Sequence, residues 1–402
     1  MYNQKLLAPK ALSLIEPNTN KTESMPQSPE YATLRNKIFE NLRNCGFSIV
    51  NEKTLFVPQD KTFIRKVHAN SVAFLREKKR AFIDRMDDSI LQKYVINGKD
   101  LDVQNIKPEL LIVNSDRLGN VFNWTKLHWS IPISSGYGRR LRYIVYDRGN
   151  SAVIGIVGLS DPVFGLSDRD RAIGWTPEVR RKNLKHVMDA FVLGAIPPYS
   201  YILGGKLIAS LLMSRRISND FRTKYGGRKT LISNEMFNGK LAAITTASAL
   251  GKSSVYDRIK VNGGSLFMQV GWSKGSGEFQ FFNDVYDELF DIAHFNAQKL
   301  KNSKWGTGIR NRRTVIRTGL KLLGLPPDLL YHNIRRELFL VPLGKRSLEY
   351  LRGESKQINY YNIGTDEISE FAIERWVRPR ASRRTEYLNF NKESYSLRSL
   401  LP

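Results

Sequence analysis

The chain has 402 residues, 41% of them hydrophobic, which excludes a disordered or collagen-like protein and leaves room for two or three domains with a real core. Its 63 lysines and arginines against 38 acidic residues give a formal net charge of +25, an excess that points to a polyanion, with DNA or RNA as the first class of partner. The single cysteine, Cys45, excludes an intrachain disulfide and argues against thiolate metal sites. No apolar run is long enough to cross a bilayer and the N-terminus lacks a secretion pattern, so no membrane is expected and a cytoplasmic location is.

Residues 1–30 are polar and proline-bearing and read as a mobile lead-in. Residues 31–105 form a helical N-terminal domain by periodicity: Leu34, Ile38 and Leu42, then Ile64, Val67, Phe74 and Leu75, recur at helical steps around a short segment, Phe47–Val57. Arg76–Arg85 is a mixed-charge face, solvated or in contact with phosphate.

A central α/β domain, 106–300, begins with the strand-like KPELLIV of Lys107–Val113. Val121–Ser134 mixes aromatic and β-branched residues and reads as a strand, with His128 packed between Trp124 and Trp129 rather than acting as a base. Ser135–Asp147 is a glycine turn and strand with Arg139, Arg140 and Arg142 at its start. Arg148–Asn150 is a hairpin turn, and Ser151–Pro162 a buried return strand. Asp161, Asp168 and Asp170 follow, interleaved with Arg169 and Arg171. Carboxylates so spaced can hold Mg²⁺, but arginines among them pair with them first. Ala172–Trp175 is a short strand candidate. Thr176-Pro177-Glu178 opens a helix with proline at its first position, running through Leu184 and Met188 into the buried strand Ala190–Ile196.

Pro197-Pro198 ends that strand, Gly204-Gly205 makes a tight turn, and Leu207, Ile208, Leu211, Leu212 and Met213 then follow helical spacing. The turn Gly204, Gly205, Lys206 admits two readings: backbone N–H groups open to a phosphate or cofactor, or a close helix–sheet contact. Ser218–Thr230 reads as a polar connection. In Thr245–Ile259, hydroxyl residues around Gly251 and Lys252 form an anion seat or an ordinary polar turn, without the first glycine of a Walker loop. Residues 262–283 read as two strands joined by Ser273–Gly277, and the stretch after them is an amphipathic helix. The basic C-terminal region, 301–402, gathers Arg310, Arg312, Arg313 and Arg317 near Trp305, a pairing suited to phosphate contact and base stacking, and ends in an arginine-rich, partly extended tail.

Several of these stretches, SGYGRRLRYIVYDRGN, VIGIVGLSDPVFGLSDRDRAIGW, VMDAFVLGAIPPYSYILGGKLIASLLMS, TTASALGKSSVYDRI and IRNRRTVIRTGLKLLGL, together resemble the DruA family, a component of bacterial Druantia anti-phage defence systems. The resemblance implies a role in antiviral defence beside the other Druantia components, including the large helicase-like DruE, and supplies no catalytic residue. The strand, glycine turn and apolar helix are also similar to the core of the GNAT acyltransferases. There, the segment matching Tyr199–Ala209 binds the pyrophosphate of acyl-CoA, although Tyr201 stands where that pattern wants Arg or Gln. The Mom DNA-modification protein of phage looks like the same core applied to bases.

The expected fold is therefore α/β (α+β), a GNAT-like central mixed sheet with helices between a helical N-terminal and a basic helical C-terminal region. The leading function is nucleic-acid binding without catalysis, through Arg139, Arg140, Lys252, Arg310, Arg312, Arg313 and Arg317. A GNAT-like enzyme using Gly204–Lys206, and a metal-dependent nuclease using Asp161, Asp168 and Asp170, are the alternatives; no catalytic residue or resident metal is assigned and the cofactor stays open.

Overall fold

A computed structural model of the chain describes residues 29–229, 234–261, 264–282, 284–295 and 312–402. Helix α1 (Pro29–Asn44), the hairpin β1 (Ser48–Val50) and β2 (Thr54–Phe56), α2 (Lys61–Glu77) and α3 (Arg80–Tyr94) open it. Asp60 caps α2 by accepting from the N–H groups of Thr62 and Phe63. Strand β3 (Pro108–Ile112), α4 (Asp116–Lys126) and the hairpin β4 (Arg140–Asp147) and β5 (Ala152–Ser160) follow. After α5 (Ser167–Ile173) and α6 (Pro177–Asn183) come β6 (Val187–Ala195), α7 (Gly204–Ser210), α8 (Arg215–Tyr225) and β7 (Ala243–Ala247). The small hairpin β8 (Lys260–Val261) and β9 (Gly264–Ser265), then β10 (Met268–Trp272), α9 (Asp284–Phe295), α10 (Arg312–Leu322), β11 (Glu337–Pro342), α11 (Ser347–Arg352), α12 (Thr365–Ala372) and α13 (Arg378–Arg383) complete it.

Seven strands form one mixed sheet in the order β10-β11-β7-β6-β5-β4-β3. Every neighbouring pair is antiparallel except β6 and β7, which run parallel over four residue pairs, Val187–Ala190 against Ala243–Thr246. All nine residues of β5 are buried, as its apolar sequence requires of a strand covered on both faces. On one face Leu141, Tyr143, Val145 and Ile154 pack against Leu207 and Ile208 of α7 and Trp376 beyond α12. On the other Ile144, Val153 and Ile156 meet Ile83 of α3 and Phe122 and Trp124 of α4. Each such aliphatic side chain stabilises the fold by roughly 1.5–3 kcal/mol. A separate core joins Leu34, Ile38 and Leu42 of α1 and Ile64 of α2 to Leu289 of α9 and Ile316 and Leu320 of α10.

The hairpin and the helix after the glycine turn stand where the sequence reading put them, whereas the helix opened by Thr176-Pro177 ends at Asn183 and does not run through Met188, so that β6 begins already at Val187. Val121–Ser134 does not form a strand: α4 runs to Lys126 because Ser115 caps it and Val121, Phe122, Trp124 and Thr125 share its buried side. Ala172–Trp175 ends α5 rather than making a strand, with Gly174 left-handed at the helix terminus. The polar connection is largely helix, since Ile217 and Phe221 of α8 are four residues apart and both buried. Residues 262–283 hold β10 but no second strand after Ser273–Gly277 among the described residues. The tail is helical rather than extended, passing from α12 through a turn of π-helix, Ile373–Val377, into α13, with Ile368, Ala372, Trp376 and Val377 buried. No helix among the described residues is long and apolar enough to cross a membrane.

Candidate nucleic-acid interface

The register sorts the basic residues between two ends of the sheet. β4 starts where β5 ends and where β6 and β7 begin; β7 finishes where β11 begins and β10 ends. Arg140 therefore lies at the first end, and Lys252, which follows β7, at the second. The cations expected to contact phosphate are thus divided between two patches among the described residues.

At the first end Arg139 is already engaged. Its Nε meets Asp161 Oδ1 at 2.7 Å, its Nη1 donates to the Lys185 carbonyl at 2.7 Å, and its guanidinium lies 5.1 Å from the Phe221 ring centre. Arg140 is exposed, and its backbone is held by Tyr225, whose hydroxyl accepts from the Arg140 N–H at 2.7 Å.

The carboxylates weighed for metal are ion-paired. Fully buried Arg169 holds Asp170 at 2.6 Å, Arg180 holds the other Asp170 oxygen at 2.8 Å, and Asp168 accepts from the Trp272 N–H at 2.9 Å. No group of three or more metal-ligating side chains occurs among the described residues. His128 packs as expected, stacked 3.8 Å from Tyr395, and burial pushes its pKa down to about 3.

The glycine turn is a close backbone contact. Leu203 is left-handed, and the Gly204 N–H donates to the Tyr199 carbonyl at 2.8 Å. A Cβ on Gly204 would stand 2.7 Å from that carbonyl oxygen, so the position requires glycine; Gly205 faces open space. Lys206 turns its ammonium over the Trp376 ring at 5.3 Å, and burial lowers its pKa.

The second end is built differently. Buried Glu337, the first residue of β11, accepts from the Ser253 N–H at 2.5 Å and from Gln269 at 3.2 Å, while the Val255 and Tyr256 N–H groups go to the Ser253 hydroxyl. Ser253, Val255 and Tyr256 thus spend their N–H groups within the fold, and Lys252 beside them is exposed. Beside it Arg335 is exposed over the Trp272 ring at 5.5 Å. Arg336 points inward. Its Nε is sealed from solvent without a hydrogen-bond partner among the described residues, one Nη lies 3.4 Å from His68 Nε2, and no carboxylate there comes within ion-pair distance. Burial lowers its pKa. His68 is stacked on Phe279 at 3.9 Å, and Phe279 lies 5.0 Å from His332. Burial lowers His68 to about 4 and His332 to about 3, with Arg336 adding to both shifts, so both rings are neutral at pH 7.

Helix α10 borders this cluster. Arg312 is committed to the fold, donating to the Phe281 carbonyl and lying 3.8 Å from the Tyr286 ring centre. Arg313 donates to Ser276 at 3.4 Å, and Arg317, one turn on, is exposed. Arg310 and Trp305 lie outside the described residues. The sequence reading missed Arg335 and Arg336. Two adjacent arginines before the apolar strand ELFLVP were the available signal.

No solved structure matches the chain. Residues 59–353 match the family model described as Druantia protein DruA. The chain is 36% identical over 363 residues, 89% of each protein, to the Druantia protein DruA of Escherichia coli (strain UMEA 4076-1). A match of that extent, covering the hairpin, the parallel pair, the glycine turn and the arginine-bearing second end of the sheet, means that the chain belongs to the DruA family of Druantia proteins.

Proposed function

We propose that the chain serves Druantia anti-phage defence by binding nucleic acid at the second end of its sheet, through Lys252, Arg313, Arg317, Arg335 and Arg336. The carrying observation is Arg336. A guanidinium held away from water without a carboxylate is costly, and an incoming phosphate relieves that cost. Exposed Arg335 over Trp272 adds a stacking surface of the kind that meets bases. The other Druantia components, DruE among them, are the protein partners in this reading, and the cytoplasm is its setting.

Electrophoretic mobility shift on single- and double-stranded DNA and RNA, across a salt series, tests it. Binding should weaken steeply with salt. The K252A/R317A/R335A variant should lose about 10- to 100-fold in affinity and flatten the salt slope by up to about three. No shift at low salt for the chain, alone or with its Druantia partners, overturns the proposal.

A second reading rests on the parallel pair β6–β7 and on the glycine turn that leads from β6 into α7, an arrangement similar to the GNAT core. It predicts heat on titration with acyl-CoA, and the absence of that heat removes it.

A further inference from the structure

The first end of the sheet carries a cavity of about 340 Å³ that the nucleic-acid surface does not use. It opens beside the starts of β6 and β7 and the end of β11. One wall is a single face of α8: Arg215, Asn219 and Arg222 lie four and then three residues apart. The rest of α8 serves the fold. Ile217 and Phe221 are buried, and Arg216 pairs with Asp220 at 2.8 Å while Asp220 also accepts from the Tyr143 hydroxyl at 3.1 Å. The helix thus spends its one acid on Arg216 and leaves Arg215 and Arg222 facing the cavity.

Lys240 comes from the segment that leads into β7. Its ammonium donates to the Lys356 carbonyl at 2.9 Å and lies 5.5 Å from the Tyr350 ring centre, which fixes its position. Gly239 is left-handed, and a Cβ there would stand 2.8 Å from Gly226 Cα and 3.1 Å from Arg222 Cγ. The chain therefore passes tight against the Arg222 stem and pins it. No acidic residue lines the cavity, and none of Arg215, Arg222 and Lys240 pairs with a carboxylate among the described residues. Tyr360, 38% exposed, presents an aromatic ring to the same space.

Three unneutralised cations around one concavity focus a positive potential on it. An aromatic ring and a carboxamide add stacking and paired donor and acceptor groups. The volume falls in the range of small-molecule sites, about 300–1,000 Å³. We propose that this cavity binds a nucleotide, with its phosphate among Arg215, Arg222 and Lys240 and its base against Tyr360 and Asn219. The same chemistry is offered by a free nucleotide and by the terminal nucleotide of a strand.

Calorimetric titration of the full chain with AMP, GMP, CMP and UMP, with a 5′-phosphorylated oligonucleotide, and with inorganic phosphate tests this. At least one nucleotide should bind about tenfold more tightly than phosphate, and R215Q/R222M should weaken it by about tenfold or more, as loss of charged hydrogen bonds does. Lys240→Gln should weaken it in the same direction, and both variants should keep the wild-type melting temperature and the mobility shift that depends on Lys252, Arg317 and Arg335. Binding confined to the phosphorylated oligonucleotide assigns the site to strand ends, and binding of free mononucleotides assigns it to the soluble pool; either supports the site. Three results overturn it: no heat with any nucleotide or oligonucleotide, phosphate binding as tightly as nucleotides, or unchanged affinity in both variants.

Discussion

The two ends of the sheet hold the same excess charge in opposite ways. At the start of β6 and β7, Arg215 and Arg222 are exposed around a concavity, with the Arg222 stem held against Gly239. At the end of β7, Arg336 has its Nε shut away from solvent and one Nη against neutral His68, with no acid within ion-pair distance among the described residues. A solvated cation costs the fold little and draws a ligand through the field it shares with its neighbours. A dehydrated, unpaired one destabilises the fold until an anion arrives. The comparison teaches that net charge alone does not locate a site; the state of hydration of each cation does.

The largest expected effect comes from imposing the second end's condition elsewhere. Arg169 is as buried as a side chain can be but is compensated by Asp170, itself shared with Arg180. Asp170→Asn strips that compensation and should lower stability by about 3–5 kcal/mol in urea unfolding. Next is the contrast: Arg336→Met removes an uncompensated charge, so it should leave stability unchanged or raise it by about 1 kcal/mol while weakening nucleic acid binding. A loss of several kcal/mol in Arg336→Met would erase the distinction between the two arginines.

A third expectation concerns pH. His68 and His332 have folded pKa values of about 4 and about 3, below the ordinary imidazole value near 6.5. The unfolded chain therefore takes up protons first, and the stability these residues contribute is complete above about pH 6.5 and is lost as pH falls toward the folded values. Asp189, buried beside Thr245 and pushed up to about 6, acts in the opposite direction below that pH. Melting temperature should fall from pH 7 to pH 5, and bound polyanion should shrink the fall by favouring imidazolium next to Arg336. An identical fall with and without DNA would separate the histidines from the proposed surface. The smallest effect belongs to the first end: Arg216→Ala breaks a surface pair worth about 0.5 kcal/mol or less and should leave the nucleotide titration untouched.

Much of the sheet was legible because its signals are local. The hairpin β4–β5 has a turn between two apolar runs, and β6 ends at two prolines. The helix α4 was not, since aromatic and β-branched residues favour strands on average and only the buried set Val121, Phe122 and Trp124 shows the helical period. In α8 two apolar residues, Ile217 and Phe221, are too few to outweigh a polar sequence. The candidate sites were less legible still. Arg139 and Arg312 look like free cations in sequence, and their engagement with Asp161 and with the Phe281 carbonyl depends on chain neighbours 22 and 31 positions away. Arg336 meets His68 across 268 positions, a relation no local pattern contains.

The parallel pair at the middle of the sheet has a mechanical consequence. β3, β4, β5 and β6 form one slab, and β7, β11 and β10 another, and within the sheet the two are riveted along only four residue pairs. Side-chain bonds from Thr245 to Asp189 and from Thr246 to the Ala190 carbonyl reinforce that seam. Arg222 hangs from the helix that follows the first slab, and Lys240 from the segment that leads into the second. A phosphate gripped by both would be a bracket across the seam, and occupancy of the cavity would stiffen that joint.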